Sequence, residues 1–332
     1  MAVGATADDR MSKVVVPRII TEAPEFSGSF RHHDRVGRNP MTISPTPRRR
    51  GSQSMPDGLP DPRGKRQWAR LYATSVLRAR QNPDFSNLER FCFFIGYARS
   101  GHTLVGTLLN AHPEVVIAHE LDAVRFVRHG FRRPQLFSLL LQRDQQFGTM
   151  GRNWSGYKYE VPGQFQGRFE QLRVMGDKRA RSSVLQIAQQ PKLLDRLRTV
   201  VKVPIRVLHV TRNPFDNIAT EARRHRMTLT QATAWYEQIC RAVSVVRPLL
   251  DPSEMMDVRY ETFASDTEAA LSGICRFLNV EPEDAYLEAC ASIVWPNPNR
   301  TRDNVQWTHD ERRGVELVIE KYDALHSYTF DD

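Results

Sequence analysis

The chain has 332 residues, 40% of them hydrophobic, with 47 Lys or Arg against 38 Asp or Glu. That apolar content suffices for a full α/β core, while no run approaches the roughly 20 apolar residues of a membrane-spanning helix. Residues 1–66 hold 12 Lys or Arg against 7 Asp or Glu, so five of the nine net positive charges sit in this stretch and the high charge argues poorly for nucleic-acid binding.

Met1 to Arg10 carries no signal-peptide hydrophobic core, which predicts a soluble, cytoplasmic protein. From Ser27 to Arg66 the chain is rich in Arg, Pro, Gly and Ser, including Arg48-Arg49-Arg50-Gly51-Ser52, and has no sustained period. Residues 1–66 are therefore read as a disordered basic tail and 67–332 as the folded domain. A helical period starts at Gln67 (Trp68, Leu71, Tyr72, Val76, Leu77) and leads through Asn82-Pro83-Asp84 into Arg90-Phe91-Cys92-Phe93-Phe94-Ile95, whose apolar and aromatic content predicts a buried parallel strand.

Next comes Gly96-Tyr97-Ala98-Arg99-Ser100-Gly101-His102-Thr103, with the G-x4-G-x-[ST] spacing of a Walker A loop but His102 where the lysine belongs. Leu104, Leu108 and Ala111 then recur at helical spacing until Pro113. Strand, glycine loop and helix would aim the N–H groups of Ser100, Gly101, His102 and Thr103 outward at the positive end of the helix, where a phosphate or sulfate binds. The plain alternative is a glycine turn leading into an ordinary helix.

Val115-Val116-Ile117-Ala118 predicts a second strand, and residues 173–176, 205–211 and 255–258 predict three more. Alternating strands and helices imply a parallel sheet covered on both faces, with ligands at the carboxyl ends of its strands. The stretches 124–147, read as helical, and 154–169 interrupt that alternation and are assigned to an acceptor-side lid. Cys92, Cys240, Cys275 and Cys290 show no C-x-x-C or Cys/His spacing and lie in apolar patterns, which predicts buried free thiols and no metal.

In ATP and GTP enzymes the loop lysine reaches the terminal phosphates, and an aspartate ending a second strand completes a Mg²⁺ site. Here the strand Ile205-Arg206-Val207-Leu208-His209-Val210-Thr211 ends in Arg212-Asn213-Pro214, a cationic end that repels a metal. An anion would be gripped from two strand ends, by Arg99 and Arg212.

At these residues the chain resembles the sulfotransferases that use 3′-phosphoadenosine 5′-phosphosulfate (PAPS). The 5′-phosphosulfate loop is similar to Gly96 through Leu104, in the arginine-bearing form of tyrosylprotein sulfotransferases; the 3′-phosphate motif is similar to Arg212-Asn213-Pro214-Phe215-Asp216-Asn217-Ile218-Ala219-Thr220. Met175-Gly176-Asp177-Lys178 resembles the family's G-D-K segment, and Tyr260-Glu261-Thr262-Phe263 with Ile274-Cys275-Arg276-Phe277-Leu278 resembles its Y-E-D-L…F-L element. Arg300 through Thr308 resembles a closing segment of bacterial-type members. The resemblance spans roughly residues 88–330. Two departures are Thr220 for a serine and His102 for a threonine, the second leaving Thr103 as the hydroxyl partner and putting a titratable imidazole beside the donor.

The resemblance implies a P-loop-NTPase-like sheet flanked by helices, PAPS as cosubstrate without a metal, and sulfuryl transfer to a hydroxyl or amine on a small molecule, glycan or peptide. It implies that Arg99 and Lys178 supply charge to the donor, with surface ion pairs as the plain alternative. Glu120 stands 21 residues after Arg99, the ungapped spacing at which tyrosylprotein sulfotransferases carry their catalytic glutamate. An apolar wall would raise its pKa toward neutrality. A helix-start acid at Leu121-Asp122 is the competing reading, and His119, then His102, are the lesser candidates for the base. Arg212 and Thr220 would hold the 3′-phosphate, and Asp216 is read as a cap. Tyr260 and Trp307 either contact the nucleotide or fill core, while Arg300 and Arg302 either close over the nucleotide or lie in a solvated loop. A P-loop small-molecule kinase would need a lysine and a metal carboxylate that are missing from these motifs. A non-catalytic nucleotide-binding protein would have no use for Arg99, Lys178, Glu120 and Arg212 together.

Overall fold

In the computed structural model, which describes residues 62, 64–80 and 85–332, the chain opens with α1 (Lys65–Ala79) and β1 (Arg90–Gly96). There follow α2 (His102–Leu109), β2 (Val115–Ala118), α3 (Ala123–Arg128) and α4 (Arg133–Thr149). A hairpin of β3 (Asn153–Trp154) and β4 (Tyr157–Lys158) precedes β5 (Val174–Asp177), α5 (Ala180–Gln189), α6 (Lys192–Val201) and β6 (Ile205–Thr211). The chain ends with α7 (Pro214–His225), α8 (Leu229–Val246), β7 (Met255–Arg259), α9 (Tyr260–Ser265), α10 (Thr267–Leu278), α11 (Asp284–Ala291) and α12 (His309–Lys321).

The five long strands pair in parallel in the order β2-β5-β1-β6-β7. Because every parallel strand needs a crossover, both faces are covered and the strands are apolar on both sides. Along β1 the side chains alternate between two cores: Phe91, Phe93 and Ile95 join one cluster with residues of α3 through α8 and α12, and Cys92 and Phe94 join another with residues of α2, α10 and α11. Both sets are at most 1% exposed. At the centre of β5, Gly176 admits no side chain, since a Cβ there would overlap the Cys92 carbonyl oxygen and press on Ile117. The glycine of Gly176-Asp177-Lys178 is thus required by strand spacing.

The parallel sheet covered on both faces agrees with the α/β expectation, and β2 and β6 coincide with the residues read from sequence. β5 starts one residue later than expected. The single helical stretch expected over 124–147 is two helices, broken at Gly130 with φ +86° and restarted with Pro134 in the first turn of α4. Residues 154–169, read as a lid without an assigned element, include Trp154 of β3 and all of β4.

α1 begins at Lys65, two residues before the boundary read from the sequence. Trp68 fixes it to the domain, stacked on His129 at 3.7 Å and edge-on to Phe126 and Phe131, with the Arg125 guanidinium 5.1 Å above the indole. Residues 1–61, the bulk of the tail read as disordered, lie outside the described residues. All four cysteines are buried free thiols. Among the described residues no helix is long and apolar enough to cross a membrane.

Candidate active site

The loop after β1 turns on two residues with positive φ, Arg99 at 67° and Gly101 at 89°. Gly101 is the N-cap of α2, and a Cβ there would run into the Tyr260 ring, so only glycine lets the loop lie against that ring. The first N–H groups of α2 have no intrahelical acceptor and lie at the positive end of the helix dipole, which favours an anion. Ser100 is fully buried and its hydroxyl accepts from Asn217 Nδ2 at 2.8 Å, tying the loop to α7.

His102 does not stand beside the donor site as a titrating group. Its Nε2 donates to the Ile95 carbonyl at 3.3 Å, its ring lies edge-on to Phe94, and burial pushes its pKa down to about 3. The imidazole is neutral and anchors the loop from below, which corrects the expectation of a proton-exchanging histidine there.

Behind the loop lies a chain of charge. The Lys178 ammonium, 4% exposed, donates to Thr103 Oγ1 and to Glu120 Oε1, both at 2.8 Å. Arg179 takes the other carboxylate oxygen of Glu120 at 2.5 Å. Burial alone would raise the Glu120 pKa, but the Lys178 and Arg179 cations outweigh it and hold the carboxyl well below the usual range. The expectation of a carboxyl raised toward neutrality by an apolar wall is therefore corrected: two cations stand where the wall was expected. Burial lowers the Lys178 pKa and Glu120 opposes that shift.

Glu120 does not serve as a helix-start acid either. Its φ is 59°, and the N-cap position of α3 belongs to Asp122, itself at φ 73°. Two left-handed non-glycine residues within three positions make a strained turn, which must be held by its surroundings. Asp177 holds it, accepting from Leu121 N at 3.0 Å and Ala123 N at 2.7 Å. Burial pushes the Asp177 pKa up to about 6 in spite of these two bonds. Asp122 in turn accepts from Ser182 and Gln186 of α5, at 2.7 and 2.8 Å. His119 lies flat on Phe147 at 3.8 Å and edge-on to Trp154, and burial holds its pKa well below the ordinary value.

Arg99 reaches across to α7 and the hairpin, pairing with Glu221 at 3.2 Å and meeting Ser155 Oγ at 3.4 Å. Arg212, at the end of β6, donates to the carbonyls of Arg99 (3.3 Å) and Asn299, lies 5.5 Å over the Tyr260 ring, and leaves a buried Nε with no partner among the described residues. Thr220 shares a hydrogen bond of 3.0 Å with Thr301, which brings the closing segment onto α7. Thus Arg99, Ser100, Gly101, Thr103, Lys178, Glu120, Arg212 and Tyr260 gather at the carboxyl ends of the strands, with Thr220 two turns along α7.

Arg302 and Trp307 point elsewhere. Arg302 is 1% exposed and binds Asp216 through its backbone N–H (3.0 Å) and Nη1 (3.1 Å), while Trp307 donates to the Arg302 carbonyl and packs on Phe215. Both brace the closing segment against α7. Asp216 does not cap its own helix, because Asn213 takes that place by accepting from Phe215 N. Arg300 is tied to Asp303 and to the carbonyls of Asp331 and Asp332. Sequence reasoning missed Arg179, Asn217 and Glu221. Arg179 and Glu221 adjoin recognised motif residues and Asn217 lies inside the Arg212–Thr220 motif, so each was within reach of a search for counter-charges and loop ties.

A parallel sheet that presents a glycine loop and cations from three neighbouring strand ends defines a group-transfer fold built around a phosphate-like anion. A sequence model of the sulfotransferase family matches residues 92–284, more than half of the chain, and the chain belongs to that family. Similar solved structures include the sulfotransferase domain of the Synechococcus PCC 7002 olefin synthase, 16% identical over 73% of this chain and 97% of that one, with a TM-score of 0.46. The sulfotransferase domain of the curacin biosynthetic pathway is 15% identical over 74% and 99%, at 0.47. Mouse sulfotransferase SULT7A1, solved with PAP, is 12% identical over 78% and 96%, at 0.40. No curated protein sequence matches the chain.

Proposed function

We propose that the protein transfers the sulfuryl group of PAPS to a hydroxyl or amine acceptor, with Glu120 as the base. One observation carries the reading: a single buried ammonium, Lys178, sits 2.8 Å both from the donor-loop hydroxyl of Thr103 and from Glu120. Donor grip and proton acceptor share one cation. The loop N–H groups, Thr103, Arg99 and Lys178 suit the phosphosulfate; Arg212, whose buried Nε has no partner among the described residues, and Thr220 suit the 3′-phosphate.

In the reaction the acceptor oxygen or nitrogen bonds to sulfur, the bond from sulfur to the bridging oxygen breaks, and that oxygen leaves with the electron pair on adenosine 3′,5′-bisphosphate. Charge grows on the leaving oxygen, where fixed cations act most strongly. Each N–H that Lys178 turns toward the donor is withdrawn from Glu120. The carboxylate, a weak base while both cations hold it, gains basicity as the donor is gripped, and Arg179 keeps it oriented. Four free buried thiols support a reducing, cytoplasmic setting.

The test is transfer of labelled sulfate from PAPS to a panel of sugars, phenols, amines, lipids and tyrosyl peptides. Glu120→Gln lowers turnover about 10²- to 10⁴-fold and leaves nucleotide affinity intact. Arg99→Ala damages both, since its guanidinium meets the donor before and during transfer. Turnover that survives Glu120→Gln would remove Glu120 from the role of base.

A further inference from the structure

Between α2, β2 and α4 lies a cavity of about 10 Å³, the room of a single water molecule. Thr103, Thr107, His119, Asp144, Arg152 and Lys178 stand around it. The lysine stem passes against Gly106, where a Cβ would press on it at 3.0 Å. The cavity therefore borders the side chain that joins Thr103 to Glu120.

Three buried polar side chains on its walls are incompletely paired. An ammonium has three N–H donors, and that of Lys178 points one at Thr103 and one at Glu120, which leaves a third with no acceptor among the described residues. The hydroxyl of Thr107, a buried residue, makes no hydrogen bond among the described residues. His119 is buried too, and its Nε2 has no partner there either. The flat stack on Phe147 fixes the plane of that imidazole, and burial keeps it neutral, so one ring nitrogen can accept a hydrogen bond. Buried polar groups are costly to leave unpaired, and three at one cavity call for a shared partner. Asp144 is not that partner, since its oxygens already take Arg152 at 3.0 and 3.1 Å and Asn110 at 2.8 Å. The same pairing sets the charge of the occupant. With Asp144 neutralised by Arg152, and Glu120 by Lys178 and Arg179, the cavity favours neither a cation nor an anion.

We propose that this cavity is a site for one water molecule held by Lys178, Thr107 and His119, and that Thr107 and His119 act through it as positioning residues for the Lys178 ammonium. The water accepts the third N–H of Lys178, donates one O–H to His119 Nε2 and shares a hydrogen bond with the Thr107 hydroxyl. Three partners are what an internal water commonly has. With that N–H occupied, the other two stay aimed at Thr103 and Glu120. The water site stands on the geometry alone, while its value to turnover rests on the sulfuryl-transfer reading above.

Crystals of the full chain, wild type and with Thr107→Val, Thr107→Ser or His119→Phe, test the site directly. In the wild type one water stands about 2.7–3.2 Å from Lys178 Nζ, Thr107 Oγ1 and His119 Nε2. Thr107→Val keeps the shape and removes the hydroxyl, so the water is lost and Lys178 lets go of Thr103 or Glu120. Thr107→Ser keeps the hydroxyl and both contacts. His119→Phe keeps the stack on Phe147, removes Nε2 and behaves as Thr107→Val. In sulfate transfer from PAPS, Thr107→Val and His119→Phe each lower kcat about 10- to 100-fold, their combination lowers it no further, and Thr107→Ser stays near wild type. A wild type without this water, or with a water bonded to Lys178 alone, overturns the site. Lys178 contacts that persist in Thr107→Val, or a larger loss of kcat in Thr107→Ser than in Thr107→Val, overturn the positioning role, the second because packing rather than the hydroxyl would then matter. A wild type that transfers no sulfate strikes the sulfuryl-transfer reading instead, and the Lys178 contacts in the variant crystals still decide the proposal.

Discussion

Buried histidines should make this protein acid-sensitive, and His102 is the clearest case. Native His102 refuses a proton until the pH falls to about 3, whereas an unfolded chain binds one near pH 6.5. Within that window the unfolded state carries more protons, so stability falls as pH falls, by about 1.4 kcal/mol per pH unit for each such group. His112, His119 and His209 are shifted in the same direction by burial. Denaturant unfolding should therefore show constant stability above about pH 7.5 and a clear loss by pH 5. His102→Gln, which can still donate to the Ile95 carbonyl, should make the loss shallower. Equal stability at pH 7.5 and pH 5 would mean that these imidazoles are not buried neutral. In the sequence His102 was visible as a departure from the lysine of the loop, but its role was not, because direction of burial is a property of the packed loop. Glu120 repeats the lesson: its position was legible from its distance to Arg99, while its electrostatics depended on Arg179, a neighbour that no motif marks.

Elements were more legible than side-chain roles, since buried parallel strands leave long apolar runs and the loop glycines leave fixed spacings. What escaped was the break at Gly130 and the short hairpin, where one positive φ or a two-residue turn decides the geometry and periodicity is silent. α1 lies at the border of this legibility, as its period was read but its anchor was not. Trp68 makes it part of the domain through three ring contacts and one cation. Deleting residues 1–61 should leave both the melting temperature and the nucleotide-induced shift within about 2 °C of the full chain. Deleting 1–80 should cost about 2–4 kcal/mol through lost packing on His129, Phe126 and Phe131. Thermal melts of the two truncations settle this, and loss of folding in the shorter truncation would make the tail a structural arm.

Across the whole molecule, every strand of the sheet delivers something to one edge: the loop after β1, Glu120 after β2, Lys178 and Arg179 after β5, Arg212 after β6, and Tyr260 after β7. This is where a parallel sheet places its ligands, and it is how motifs separated by more than 160 residues come to one edge. The motifs of the strand ends were readable in the sequence; the stacking of Arg181 of α5 on Trp235 of α8 was not, because helix faces converge only after folding.

The central claim is that this edge is built for adenosine phosphorylated at both the 3′ and 5′ positions rather than for ATP with a metal. Calorimetric titration of the full chain with adenosine 3′,5′-bisphosphate and with ATP, each with and without Mg²⁺, tests it most directly. The bisphosphate should bind at least about 100-fold tighter than ATP, indifferent to Mg²⁺, and Arg212→Ala should remove about 2–5 kcal/mol of that affinity. ATP binding as tight as the bisphosphate, or bisphosphate binding that requires Mg²⁺, would contradict the account.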